Sequence, residues 1–188
     1  GQVWYDSTAI AFQYLSSNPA GAWASGDNLN TARSDGGAAG LGTLTANIYA
    51  AGYVSSPTPR SAIAESYNGS SWTEVADLNT ARSASRKGLG TQTTAILAGG
   101  NVNADAPYDG GQTESWNGTS WTELADLNTE RRAHNAAGTS TSGIVFGGNR
   151  DPGPGYTANA ETWDGSSWTE VGNLNEERSG TAGAGATS

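Results

Sequence analysis

Three tyrosines, two arginines and two aspartates are candidates for a binding surface: Tyr53, Arg60, Tyr108, Asp109, Arg150, Asp151 and Tyr156. Tyrosine supplies a flat apolar ring with a polar tip, while Arg and Asp supply a forked donor and a paired acceptor. That mixture suits stacking on a sugar and hydrogen bonding to its hydroxyls. Groups that make or break bonds are scarce by comparison. His134 is the only histidine and cysteine is absent, so no histidine-paired nucleophile stands at a readable spacing. Asp105, Asp109 and Asp151 lack the spacing of a calcium loop. The residues therefore predict a non-enzymatic chain with no cofactor and no catalytic or metal site.

The seven candidates fall in stretches that vary between copies of a repeated text. ESYNGSSWTEVADLNTAR at 65–82 returns as ESWNGTSWTELADLNTER at 114–131 and as ETWDGSSWTEVGNLNEER at 161–178, with a worn copy at 12–33. The second Trp of each copy stands at 23, 72, 121 and 168, at intervals of 49, 49 and 47. A period of that size marks stacked supersecondary units. Segments between turn signals are short and rich in β-branched and aromatic residues, which predicts strands. Each unit holds four. Strand a is the Gly/Ala run after the repeated Arg, b ends at a Gly-Gly or Ala-Gly pair, c carries Glu-x-Tyr/Trp, and d carries Trp-Thr-Glu. Strands c and d are joined by Asn-Gly or Asp-Gly, which predicts tight hairpins. Antiparallel order then places the b–c loops, at 53–61, 101–111 and 149–159, on one face. Those loops hold all seven candidates and five of the six prolines. Variable loops on a repeated scaffold are where binding is commonly placed.

Composition sets the limits. Net charge is −9 and Lys87 is the only lysine, which argues against nucleic acid and anionic membrane as partners. Apolar runs such as 95–98 are too short to span a bilayer, so no membrane insertion is expected. Leu, Ile, Val and Phe make up only about an eighth of the chain, but seven Trp and seven Tyr recur at fixed places and can fill a core instead. Trp72, Trp121 and Trp168 are expected to pack between units. Arg33, Arg82, Arg131 and Arg178, like Glu65, Glu114 and Glu161, repeat with the unit and read as structural, the Arg bonding backbone carbonyls or a carboxylate between units. Residue 1 is Gly and methionine is absent, which predicts a translation start upstream.

A hydrophobic strand ending in Gly-Gly, then an aromatic, a Trp about five residues on and an Arg before the next unit resembles the kelch repeat. The resemblance implies an all-β, kelch-like β-propeller of four-stranded antiparallel blades, forming a single domain over 1–188. Units would run 1–33, 34–82, 83–131 and 132–178, with 179–188 the first strand of a next or ring-closing blade. Residues 2–5 could supply the missing b strand, so a closed four-bladed ring and a slice of a larger propeller both remain open. The wording [YW]-[ND]-G-[ST]-S-W-T-E followed by L-N-x-x-R is similar to repeats in virion structural proteins of marine tailed bacteriophages. That likeness implies a structural and host-attachment module in a fibre, tail or capsid decoration on the surface of the virion. Its partners would be other virion proteins and a host-surface glycan, with homo-oligomer formation compatible. Alternatives are a cellular kelch scaffold binding a protein partner and a glycan-acting propeller enzyme. Copper oxidases of the galactose-oxidase type need a Cys-linked Tyr, which this chain cannot build.

Overall fold

The computed structural model describes residues 3–6, 11–14, 27–38, 42–55, 60–85, 87–102, 109–150 and 155–180, with the backbone alone at 3–6, 11–14 and 109. Every regular element among them is a β-strand. β1 (Val3–Asp6) pairs antiparallel with β2 (Ala11–Tyr14). The first four-stranded sheet is β3 (Gly37–Ala38), β4 (Asn47–Ala50), β5 (Ala64–Tyr67) and β6 (Trp72–Val75), in that order. The second is β7 (Leu89–Gly90), β8 (Ala95–Asn101), β9 (Asp109–Trp116) and β10 (Trp121–Glu123). In the third, β11 (Asn135–Gly138) and β12 (Gly143–Phe146) precede a small hairpin, β13 (Asn149–Arg150) with β14 (Gly155–Tyr156). That sheet is then completed by β15 (Ala160–Trp163) and β16 (Trp168–Val171). All neighbours are antiparallel, and each sheet follows the expected order a, b, c, d. The d strand expected at Trp23 and most of the a strand expected at 180–186 lie outside the described residues.

Turn chemistry fixes the c–d hairpins. Asn117 Oδ1 accepts the backbone N–H groups of Thr119 and Ser120, both at 2.9 Å, and Gly118 takes a φ of 92°. Asn68 and Asp164 repeat the arrangement. The Ser167 and Ser166 amides, with the Ser166 hydroxyl, hold the Asp164 carboxyl down at about 2. An Asx side chain satisfying two turn donors is why Asn or Asp opens the turn in these three copies.

The core lies between consecutive sheets. Ile48, Ala50, Ala64 and Leu78 of the first sheet's unit meet Ala95, Leu97, Trp116 and Trp121 of the second. Leu89, Ile96, Ala98 and Leu127 then meet Ala136, Val145, Trp163 and Trp168 of the third. Trp121 and Trp168 are 7% and 6% exposed, so these two indoles fill the gaps between units as expected. Trp72 is half-buried. Each Trp also stacks across its hairpin: the Trp116–Trp121 and Trp163–Trp168 centroids are 5.4 and 5.1 Å apart, tilted by about 40°.

A buried ionic latch joins each unit to the next. Arg33, Arg82 and Arg131 pair with Glu65, Glu114 and Glu161, and every one of these side chains is fully buried. Glu161 shows how the charge is satisfied. Its oxygens accept Arg131 Nη2 at 2.7 Å, the Asn128 amide at 2.7 Å, Asn128 Nδ2 at 3.0 Å and the Thr129 amide at 3.1 Å. Arg131 spends its remaining donors on the carbonyls of Thr129, Gly147 and Asn159. Burial lowers the pKa of Arg82 and Arg131, and the partner carboxylates oppose that shift. The Arg33 junction is poorer, because its Nε and Nη1 find no acceptor among the described residues.

A second, backbone link runs through residues in the left-handed region. The Ala84 N–H donates to Asp35 O at 2.7 Å, Ala133 to Ala84 O at 2.7 Å, and Gly180 to Ala133 O at 3.1 Å. Their φ values are 53° (Asp35), 55° (Ala84), 51° (Ala133) and 64° (Gly180). One position per unit thus hands a hydrogen bond to the same position of the next.

Candidate functional site

The b–c loops share one base. Strand b bulges at its small pair: Ala98 faces Thr113 but Gly100 faces Gly110, and Gly100 has a φ of 111°. A Cβ there would sit 2.8 Å from Ser83 O, so the close approach requires glycine. The residue after the pair is Tyr53, Asn101 or Asn149. Each forms an antiparallel bridge to the residue following the latch arginine: Ser34, Ser83 or Arg132. The same three positions pair forward with Arg60, Asp109 and Tyr156. Stretches 101–111 and 149–159, read as loops from the sequence, therefore begin and end as hairpin ladders. Polar residues, glycine and proline carry no strand signal there, and at Asn101 the pairing follows the bulge beneath.

The structure gathers Tyr53, Arg60 and the backbone of Asp109 around Asn101. The Arg60 guanidinium lies over the Tyr53 ring, 5.9 Å from its centroid. Arg60 Nε donates to Asn101 Oδ1 at 3.0 Å, and Asn101 Nδ2 donates to the Tyr53 hydroxyl at 3.4 Å. The cluster spans two units, and its side chains are locked against one another before any ligand arrives. Sequence reasoning missed Asn101. Its signal was positional, since it follows Gly99-Gly100 as Tyr53 follows Ala51-Gly52. Arg150 and Tyr156 belong to the β13–β14 hairpin, where Arg150 pairs with Gly155 and Tyr156 with Asn149. Tyr156 is 54% exposed, and among the described residues no hydrogen bond or ring contact ties either side chain to the Tyr53–Arg60–Asn101 group. Tyr108 and Asp151 lie outside the described residues.

His134 is 1% exposed, and among the described residues neither ring nitrogen has a partner. Burial, reinforced by Arg131, pushes its pKa down to about 3, so it is neutral near pH 7. The equivalent residues of earlier units are Gly36 and Ser85, and all three positions are buried. Among the described residues no group of three or more His, Asp and Glu side chains converges as a metal site would require. A groove of about 490 Å³ lined by Asn128, Trp168, Thr169 and Glu170 lies beside a latch, where Asn128 Nδ2 already donates to Trp168 O. No helix among the described residues is long and apolar enough to cross a membrane. No protein-family model matches the chain, and no curated protein is detectably related to it.

Proposed function

We propose that the sheets are blades of a kelch-type β-propeller, and that the protein is a non-enzymatic structural and binding module of a phage virion. Its b–c hairpins recognise a host-surface glycan. The propeller reading is supported by the backbone relay from Asp35 through Ala84 and Ala133 to Gly180, which suits units stepping round an axis. The observation that carries the binding reading is a fixed frame with changing residues. The same paired positions hold Tyr53 with Arg60, Asn101 with Asp109, and Asn149 with Tyr156. Ring faces, a guanidinium and amides preset on such a frame suit a polyhydroxylated ligand, because ordering costs are met before binding. The virion setting rests on the likeness of the repeat wording and on the acidic, cysteine-free composition.

The test is a glycan array and a host-cell adsorption assay with the intact chain, Arg60→Ala and Tyr156→Ala. Binding weakened by about tenfold or more in either variant supports the hairpins as the site. Binding unchanged in both removes them, and selective capture of a protein partner favours the scaffold alternative.

A further inference from the structure

The latch that closes each junction is left open at the last one. Arg178 occupies the place of Arg33, Arg82 and Arg131, yet its side chain is 47% exposed where theirs are fully buried. Among the described residues it donates only to its own neighbour Glu176, at 3.3 Å from Nη2 to Oε2 and 3.3 Å from Nε to the carbonyl. The amides of Asn175 and Glu176 stand where Asn128 and Thr129 grip Glu161, and both lack an acceptor among the described residues. The adjoining sheet face is open as well. Ile144 and Leu174 are half-buried, whereas their counterparts Ile48, Ile96, Leu78 and Leu127 are 2–5% exposed.

Strand register in the first hairpin puts no carboxylate at the matching place. Val3 pairs with Tyr14 as Asn47 pairs with Tyr67, and that register sets Phe12 at the position of Glu65. A phenyl ring offers nothing to a guanidinium and two amides that elsewhere bind a carboxylate. A second copy is no better, because its Glu65, Glu114 and Glu161 are each taken by their own Arg.

We propose that residues 174–178, with the Ile144 face of the last sheet, form an open docking site for a further repeat unit of the same kind, one that carries Glu in its c strand. That unit inserts a Glu-bearing c strand under Arg178 and a d-strand Trp against Ile144 and Leu174. Arg178 then exchanges its exposed link to Glu176 for a buried carboxylate, and the Asn175 and Glu176 amides gain acceptors. The site recognises a Glu-x-Tyr/Trp strand and discriminates against the Phe-x-Tyr of the first unit. A ring closed by four units of this chain is thereby disfavoured, whatever ligand the hairpins bind.

The test reads amide hydrogen exchange at Asn175 and Glu176, and phenylglyoxal labelling of Arg178, in the 188-residue chain and in one extended after Ser188 by a copy of residues 142–180. Because Gly180 corresponds to Ala133, that extension keeps the repeat in phase. In the unextended chain both amides should exchange about a hundredfold faster than those of Asn128 and Thr129, and Arg178 should label while Arg131 does not. Extension should slow the two amides by a similar factor and protect Arg178, and Glu161→Gln in the appended copy should reverse both effects. Protection already present in the unextended chain overturns the proposal; if independent of concentration it shows closure on the first unit, and if concentration-dependent, a second copy. An extension that leaves Arg178 as reactive as before also overturns it, because a repeat unit must dock in order to fold.

Discussion

Arg131 Nη2 lies 2.7 Å from Glu161 Oε1, both side chains are fully sealed from solvent, and the two residues belong to consecutive repeat units. Coulomb attraction does not account for the pair alone, since desolvating two charges costs several kcal/mol per ion. The cost is offset because every oxygen and nearly every donor is satisfied: four hydrogen bonds reach the carboxylate and three carbonyls receive the rest of the guanidinium. The latch therefore fixes register between units as much as it adds stability.

Removing one latch partner should be severe. Glu161→Ala leaves a buried guanidinium and two amides unpaired, and is expected to cost about 3–5 kcal/mol. Arg178→Ala, at an exposed pair, should change stability by less than about 0.5 kcal/mol. Urea denaturation followed by Trp fluorescence separates them, and equal midpoints would refute the assignment of the latch.

Scaffold and candidate binding residues should respond differently to truncation. Trp121→Ala empties a site between two sheets and should cost about 3–5 kcal/mol. Tyr156→Ala, at an exposed hairpin, should stay within about 0.5 kcal/mol of the parent. Comparable losses of melting temperature in the two variants would overturn the division.

The indoles of Trp121 and Trp168 occupy matching places but are not equally satisfied. Trp168 Nε1 donates to Thr113 Oγ1 at 3.1 Å, whereas Trp121 Nε1 is buried without a partner among the described residues because Ala64 stands where Thr113 would be. Thr113→Val keeps the shape and removes the acceptor, so a loss of about 1–2 kcal/mol is expected in chemical denaturation. A neutral result would mean that the indole N–H finds another acceptor.

Acid should weaken the fold through His134. Its pKa falls from 6.5 in the unfolded chain to about 3 in the folded one, so the unfolded state binds the proton more readily. The neutral ring's contribution is complete above pH 6.5 and is lost progressively as pH falls towards 3. The shift corresponds to roughly 5 kcal/mol across that window. His134→Ser, the residue found at the matching position Ser85, should flatten stability between pH 6 and 4, measured as the slope of urea midpoint against pH. An unchanged slope would assign the acid limb to carboxylates instead.

The repeat, the four strands of each of the three larger sheets, the Asn-Gly and Asp-Gly hairpins and the packing role of Trp121 and Trp168 were all legible in the sequence. Each is encoded within a window of a few residues: alternation sets a strand's faces, and an Asx-Gly pair closes its own turn. Arg82 and Glu114 were visible as repeated charges, but their pairing across units, 32 residues apart, was one of two open readings. Only packing decided that Arg82 reaches the carboxylate and the carbonyls together. Asn101 at the centre of the loop cluster was hidden because its pairing follows the glycine bulge beneath and not its own side chain, and the hairpins at the loop bases because polar residues, glycine and proline carry no strand signal. Phe12 at a Glu position became meaningful only once strand register aligned the first hairpin with the others. Local chemistry chooses strands and turns, whereas the choice of partner depends on which surfaces the chain has already buried.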